Sequence, residues 1–239
     1  NYCISEWGQM LQNPELQILG SSLRRVFRRQ FRVPYPIYLH LVQWAKGWHV
    51  WNECDCSGCE RCPTELKVLG YFRMAGQSAC FDNVEELSYI NASTMHALFL
   101  EFSKKGCDEL FPEHVRMPET VEELAEIEVA YASIGIPGAC GSMDVVHIAL
   151  GSCPHGLINV CTGKEGYPTL AYNVICDHQG RAIAIMPGAY GTMNDKTIVK
   201  SDEAVEKIRT DPLFTDYHYE TRDKAGMRSL SQGVYLIVD

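Results

Sequence analysis

With 46% hydrophobic residues over 239 positions the chain can bury a sizeable core, so disorder is not its default state. Its 21 basic against 30 acidic residues give a net charge of −9, which argues against a protein that coats nucleic acid with its whole surface; DNA contact has to come from local patches, metal ions or a partner. No apolar run reaches the roughly 18 residues that span a bilayer, no secretory leader opens the chain, and the eleven cysteines, an odd number set in apolar segments, suit reduced thiols in cytosol or nucleus rather than a disulfide framework.

The first half reads as short helices. Between Leu23 and Val33, Arg24, Arg25, Arg28, Arg29 and Arg32 fall at three- and four-residue spacings, a broad basic face that can follow a phosphate backbone. The same pattern also describes a solvated face over a buried strip of Leu23, Val26, Phe27 and Phe31. Apolar residues recur with helical period at Ile37, Leu41, Val42 and Ala45, and again at Leu66, Leu69 and Phe72. Between them Cys54, Cys56, Cys59 and Cys62 put four thiols within nine positions, enough for a tetrahedral Zn²⁺ site, though the Cys54-x-Cys56 step is tighter than zinc sites usually use. Val84 to Ile90 and Ser93 to Lys105, broken at Asn91-Ala92, have a helix-turn-helix layout, with an apolar stripe at Met95, Leu98, Phe99 and Phe102 that equally describes packed core. Thr120 and Glu123 form a capping-box pattern for an acidic helix from Val121 to about Ile134, which ends at Gly135-Ile136-Pro137-Gly138. The expected division is a helical region over 1–136 and a second domain over 137–239.

Downstream the hydrophobic period falls toward two. Asp144 to Leu150, Thr169 to Cys176 and Arg181 to Met186 read as strands, the last two joined by the turn Asp177-His178-Gln179-Gly180. Gly188 to Thr192 is a glycine-rich loop, and Asn194 caps a helix expected from Asp195 to about Ile208. Pro212 to Ser231 reads as irregular. Val234 to Val238 is an apolar strand of the kind buried on both faces, and it ends at Asp239.

If the strands of Asp144 and Asp239 are neighbours, their carboxylates converge. Two carboxylates about 4 Å apart repel by about 4 kcal/mol at an effective dielectric of 20, and bound Mg²⁺ reverses that sign. Two such ions activate a water or a 3′-hydroxyl and steady the leaving oxygen of a phosphodiester.

The second half resembles the DDE transposase and nuclease domain of the PIF/Harbinger superfamily. The matching stretches are Gly138 to Ile148 with Gly141-Ser142-Met143-Asp144, Thr162-Gly163-Lys164-Glu165-Gly166-Tyr167-Pro168-Thr169, Cys176 to Arg181, Pro187 to Lys196 with Asn194-Asp195, and Val234 to Asp239. A looser likeness runs upstream through Arg28 to Leu41 and Pro63 to Gly106. Such proteins commonly have Gly-Thr where this chain has Val145-Val146, a change that narrows the site. The resemblance implies an α+β or α/β fold, a helical N-terminal region before an RNase H-like mixed sheet with flanking helices, incomplete at its C-terminus. It implies Asp144 and Asp239 as catalytic ligands of Mg²⁺ or Mn²⁺, two ions in the intact protein, with a third acid, a glutamate, beyond Asp239. The chain, which starts at Asn1, is then expected to be an inactive fragment. Asp195 competes for a metal role but suits support from the first turn of its helix. His147, three residues from Asp144, falls on the other face and suits packing. Lys164, Arg181 and Lys196 are candidate phosphate contacts.

The implied function is metal-dependent cleavage at transposon terminal repeats and strand transfer into a target site, in the nucleus (with cytoplasmic presence), beside a Myb-like DNA-binding partner and with homo-oligomerisation left open. The competing readings are a domesticated, catalytically inactive Harbinger-derived DNA-binding or scaffolding protein, and a zinc-dependent interaction module centred on Cys54 to Cys62.

Overall fold

The structure, a computed structural model, describes residues 2–48, 61–222 and 226–238. The chain divides into two compact units between Asp108 and Glu109. No helix among the described residues is long and apolar enough to cross a membrane.

The first unit is helical throughout its described residues: α1 (Glu6–Gln12), α2 (Ser22–Phe31), α3 (Tyr35–Lys46), α4 (Thr64–Gln77), α5 (Phe81–Ser88) and α6 (Ala92–Lys105). Ser5 and Ser21 start α1 and α2 by accepting hydrogen bonds from the amides of Gly8 and Arg24, groups the helix itself leaves unpaired. Trp7, Phe27, Phe31, Tyr38, Leu69 and Met95 fill one core. Phe27 lies at its aromatic centre, with the rings of Phe31, Tyr35 and Tyr38 at 4.9, 5.3 and 5.2 Å. The expected helical hairpin is present as α5 and α6, and its stripe is core: Met95, Leu98 and Phe102 are buried and Phe99 packs beside them.

The second unit opens with α7 (Phe111–His114) and α8 (Val121–Ser133). Thr120 caps α8 as expected, accepting from the Glu123 amide at 3.2 Å. The reciprocal half of the capping box is altered, because the Glu123 carboxylate accepts from the Glu119 amide at 2.9 Å and grips the Arg116 guanidinium at 2.6 and 2.9 Å. The Arg116 hydrogen bond, helped by the Glu119 amide, lowers the Glu123 carboxyl from 4.5 to about 2. A depressed carboxyl stabilises the fold above its unfolded value and loses that contribution as the pH falls toward the folded one. The stability gap between the wild type and Glu123→Gln is therefore expected to be full above about pH 5 and to close as pH falls toward 2. Urea midpoints measured across that range check it; a pH-independent gap would contradict it.

The remaining elements are β1 (Ala139–Ala149), α9 (Ile158–Cys161), β2 (Thr169–Cys176), β3 (Ala182–Ile185), β4 (Ala189–Tyr190), α10 (Asp195–Lys200), α11 (Glu203–Thr210), α12 (Pro212–Thr215), β5 (His218–Arg222), β6 (Arg228–Gln232) and β7 (Tyr235–Val238). The main sheet runs β3-β2-β1-β7, with β4 also paired to β2. Strands β1, β2 and β3 form an antiparallel meander, and β7 joins β1 in parallel. Helix α8 packs on the sheet through Ile127 and Tyr131 around Ala139 and Ile237, so the boundary expected at 136/137 cuts through this unit. Ile208 of α11 and Phe214 of α12 share a core with Cys140, Ile175 and Ile183.

Four expectations change. Strand β1 begins at Ala139, five residues before Asp144. The helix expected over Asp195 to Ile208 is broken at Ser201-Asp202, where the Asp202 carboxylate caps α11 by accepting from Ala204 and Val205. The stretch read as irregular holds α12 and a separate two-stranded sheet, β5-β6. Strand β7 pairs with β1 in the described sheet, and its Tyr235 and Val238 are exposed there rather than buried.

Candidate functional site

Asp144 stands near the middle of β1, opposite Val174 of β2. Its carboxylate is exposed and accepts from the Val145 amide at 2.8 Å. On the other side of β1, the parallel register with β7 pairs Ser142 with Ile237 and Met143 with Val238. Asp239, the second expected acid, lies outside the described residues.

Where the described part of β7 ends, a cleft of about 400 Å³ opens beside β1. Asp144, Asn173, Asp195, Lys196 and Val238 line it, with Met143, Val145 and Val199 as its apolar wall. Asp195 thus borders the same cleft as Asp144, although the Asp144 carboxylate lies on the face of β1 opposite Val145 and its register partner Asn173. It is the first residue of α10, after the N-cap Asn194, whose side chain accepts from Lys196. Lys164 reaches its Oδ2 at 3.2 Å, and that hydrogen bond, ahead of the cost of desolvation, lowers the Asp195 carboxyl below its ordinary value. Lys164 is accordingly paired with a carboxylate, as is Arg181 with Asp177 at 3.0 Å. Lys196 is exposed on the cleft wall.

The register of β1 is continuous from Ser142 to Ala149, so the period of two does separate His147 from Asp144. His147 has more than a packing role, however. Its side chain is 8% exposed, its Nδ1 is 3.1 Å from Thr169 Oγ1, and its Nε2 is 3.6 Å from Asp195 Oδ1, too long for a hydrogen bond. The loop holding this group depends on Gly191, where a Cβ would overlap Thr169 Oγ1 and the Cys161 carbonyl oxygen.

The wall residue Asn173 escapes a sequence reading except as a lone polar residue inside an apolar strand. It is fully buried and donates from Nδ2 to Asp202 Oδ2 at 2.6 Å. Its Oδ1 is buried without a hydrogen-bond partner. Such an orphan is uncommon in a folded interior and marks a place where a ligand or water is wanted.

The chain matches no protein-family model, no curated protein and no solved structure. Among the described residues no group of three or more His, Cys, Asp or Glu side chains is placed to hold a metal ion. The carboxylates that border the cleft, Asp144 and Asp195, are nonetheless of the kind that suits a hard divalent cation retaining part of its water shell. A roomier hollow of about 560 Å³, lined by Phe111, Ile185 and Lys207 among others, lies elsewhere on this unit. Its one buried carboxylate is Asp202, already committed to Asn173 and to the α11 cap.

The remaining candidates separate. Cys54, Cys56 and Cys59 lie outside the described residues. Cys62 is buried, and burial pushes its thiol up to about 12, so a zinc ion would have to displace its proton. Of the five arginines, Arg24 turns onto its own backbone, donating to the Leu16 carbonyl at 2.6 Å and lying over the Tyr35 ring. Arg25, Arg28, Arg29 and Arg32 are exposed. Arg32 closes α2 in the left-handed conformation (φ 57°), which costs a non-glycine residue about 1–2 kcal/mol.

Proposed function

We propose that the second unit is an RNase H-like domain of the DDE transposase type, and that it cuts and rejoins DNA strands with divalent metal. Support comes first from topology: an antiparallel meander with the next strand of the sheet added in parallel to β1 is the arrangement such a domain uses. The observation that carries the reading is the register that sets Met143 opposite Val238. Asp144 follows Met143 in sequence and Asp239 follows Val238. In this proposal Asp144 and Asp239 would be the residues that hold Mg²⁺ or Mn²⁺.

The bound metal would supply Lewis acidity and a nucleophile of lowered pKa. The chain's own residues do the rest. Lys196 offers a point charge to a phosphate at the cleft wall. Asp195, fixed by Lys164 and backed by His147, holds the negative side of the site in place. Asn173, held by Asp202, anchors the buried side of the same wall.

Nicking of a supercoiled plasmid by the full-length protein in Mg²⁺ or Mn²⁺ tests the reading. Asp144→Ala is expected to lower the rate by more than about 100-fold, beyond the effect of removing a group that only supports a ligand. DNA binding without nicking, unchanged by that substitution, would instead favour an inactive DNA-binding or scaffolding protein.

A further inference from the structure

The four exposed arginines of α2 are not absorbed by the metal site, which belongs to the other unit. Arg25, Arg28 and Arg29 follow the i, i+3, i+4 spacing of one helical face, opposite the buried Phe27 and Phe31, and the exposed Arg32 follows them as the left-handed C-cap. None of the four forms an ion pair among the described residues, although the chain as a whole is acidic. Basic residues in the last turn are favoured by the helix dipole, which accounts for Arg28 and Arg29. It does not account for Arg25, further up the helix, or for Arg32, beyond its end.

Arg32 is also given room. At Gly76 of α4 a Cβ would come within 2.8 Å of Arg32 Cγ, so this glycine lets the arginine stem lie across the neighbouring helix. The end of α2 is held from the same side, with Arg73 donating to the Gln30 carbonyl at 3.2 Å and Gln77 to that of Arg29 at 2.8 Å. The stripe is therefore mounted on a braced helix end and carries only guanidinium groups, whose planar forks suit phosphate oxygens.

We infer that α2 is a phosphate-backbone contact surface for duplex DNA, made by Arg25, Arg28, Arg29 and Arg32. The choice of duplex DNA rests on the function proposed above; the stripe itself does not. Such contacts release counterions, so affinity falls with salt by about 0.9 in log K per log salt for each phosphate neutralised.

The test is fluorescence anisotropy of the chain with two duplexes of unrelated sequence, over a salt series without divalent metal. Arg28→Gln/Arg29→Gln is expected to weaken binding equally on both duplexes and to reduce the salt slope by about 2, and Arg28→Lys/Arg29→Lys to restore the slope. Circular dichroism confirms that each variant keeps its helix. An unchanged slope in the Gln variant overturns the inference, whatever the nicking assay shows. So does arginine-dependent binding to phosphatidylserine vesicles with no arginine-dependent binding to DNA. Because metal is absent, loss of nicking alone would remove the metal site and leave the stripe standing.

Discussion

Phe27→Ala is expected to destabilise the helical unit by about 3–5 kcal/mol. Phe27 is fully buried, and its ring meets those of Phe31, Tyr35 and Tyr38, so α2 and α3 are joined largely through this one side chain. Truncation removes the apolar area and leaves a cavity among rings too rigid to collapse into it. Losing the edge-to-face geometry adds about 0.5–1.5 kcal/mol per aromatic pair, part of which is already counted in that range. Denaturant unfolding followed by the fluorescence of Trp7, which packs edge-on against Phe31 at 5.3 Å, reports this unit directly. A loss below about 1 kcal/mol would mean that the aromatic cluster is not what fastens α2. The arginine stripe sits on that helix, so the same variant should also weaken DNA binding.

The second large effect is expected at Asp202. Its side chain is 3% exposed and carries two tasks at once: Oδ1 accepts from the Ala204 and Val205 amides at 2.8 and 3.4 Å, and Oδ2 accepts from Asn173 at 2.6 Å. Asp202→Ala removes a helix cap, which alone costs about 0.5–2 kcal/mol. It also leaves the fully buried Asn173 amide with only the Met143 thioether as acceptor, a further penalty of about 1–3 kcal/mol. The combined loss is expected at about 2–4 kcal/mol, read from chemical denaturation of the second unit. Asp202→Asn keeps an acceptor oxygen for the cap and should recover part of it. If Asp202→Ala and Asp202→Asn are equally mild, the Asn173–Asp202 bond does not organise the cleft wall.

The parts of the fold visible in the sequence are those where local pattern and tertiary environment agree. Strand β2 is bounded at Thr169 and Cys176 because its residues alternate strictly between buried and partly exposed. Helix α8 is legible from Thr120 and Glu123, since a cap is a local interaction. The hairpin β5-β6 was hidden because Arg228-Ser229-Leu230-Ser231-Gln232 is polar or exposed throughout and offers no apolar alternation. The break between α10 and α11 was masked by Ile198, Val205 and Ile208, whose helical spacing runs across it while Asp202 quietly starts a new helix.

The site was legible unevenly. The sequence points to Asp144 and Asp195, and both border one cleft, with the Asp144 carboxylate on the strand face opposite Val145 and Asn173. It cannot tell that one of five arginines turns back onto the Leu16 carbonyl, or that His147, on the far face from Asp144, ends 3.6 Å from Asp195. Neither is encoded in spacing; both follow from which helix end or loop comes to lie alongside.

The most direct measurement is paramagnetic broadening of amide signals by Mn²⁺ in ¹⁵N-labelled protein. Val145 and Val238 adjoin the two proposed ligands, one on each strand, and substoichiometric Mn²⁺ is expected to broaden both in parallel, with recovery on adding excess Mg²⁺ and no broadening in Asp144→Asn. Broadening of only one of them, or of neither, would contradict a cation shared between Asp144 and the end of β7.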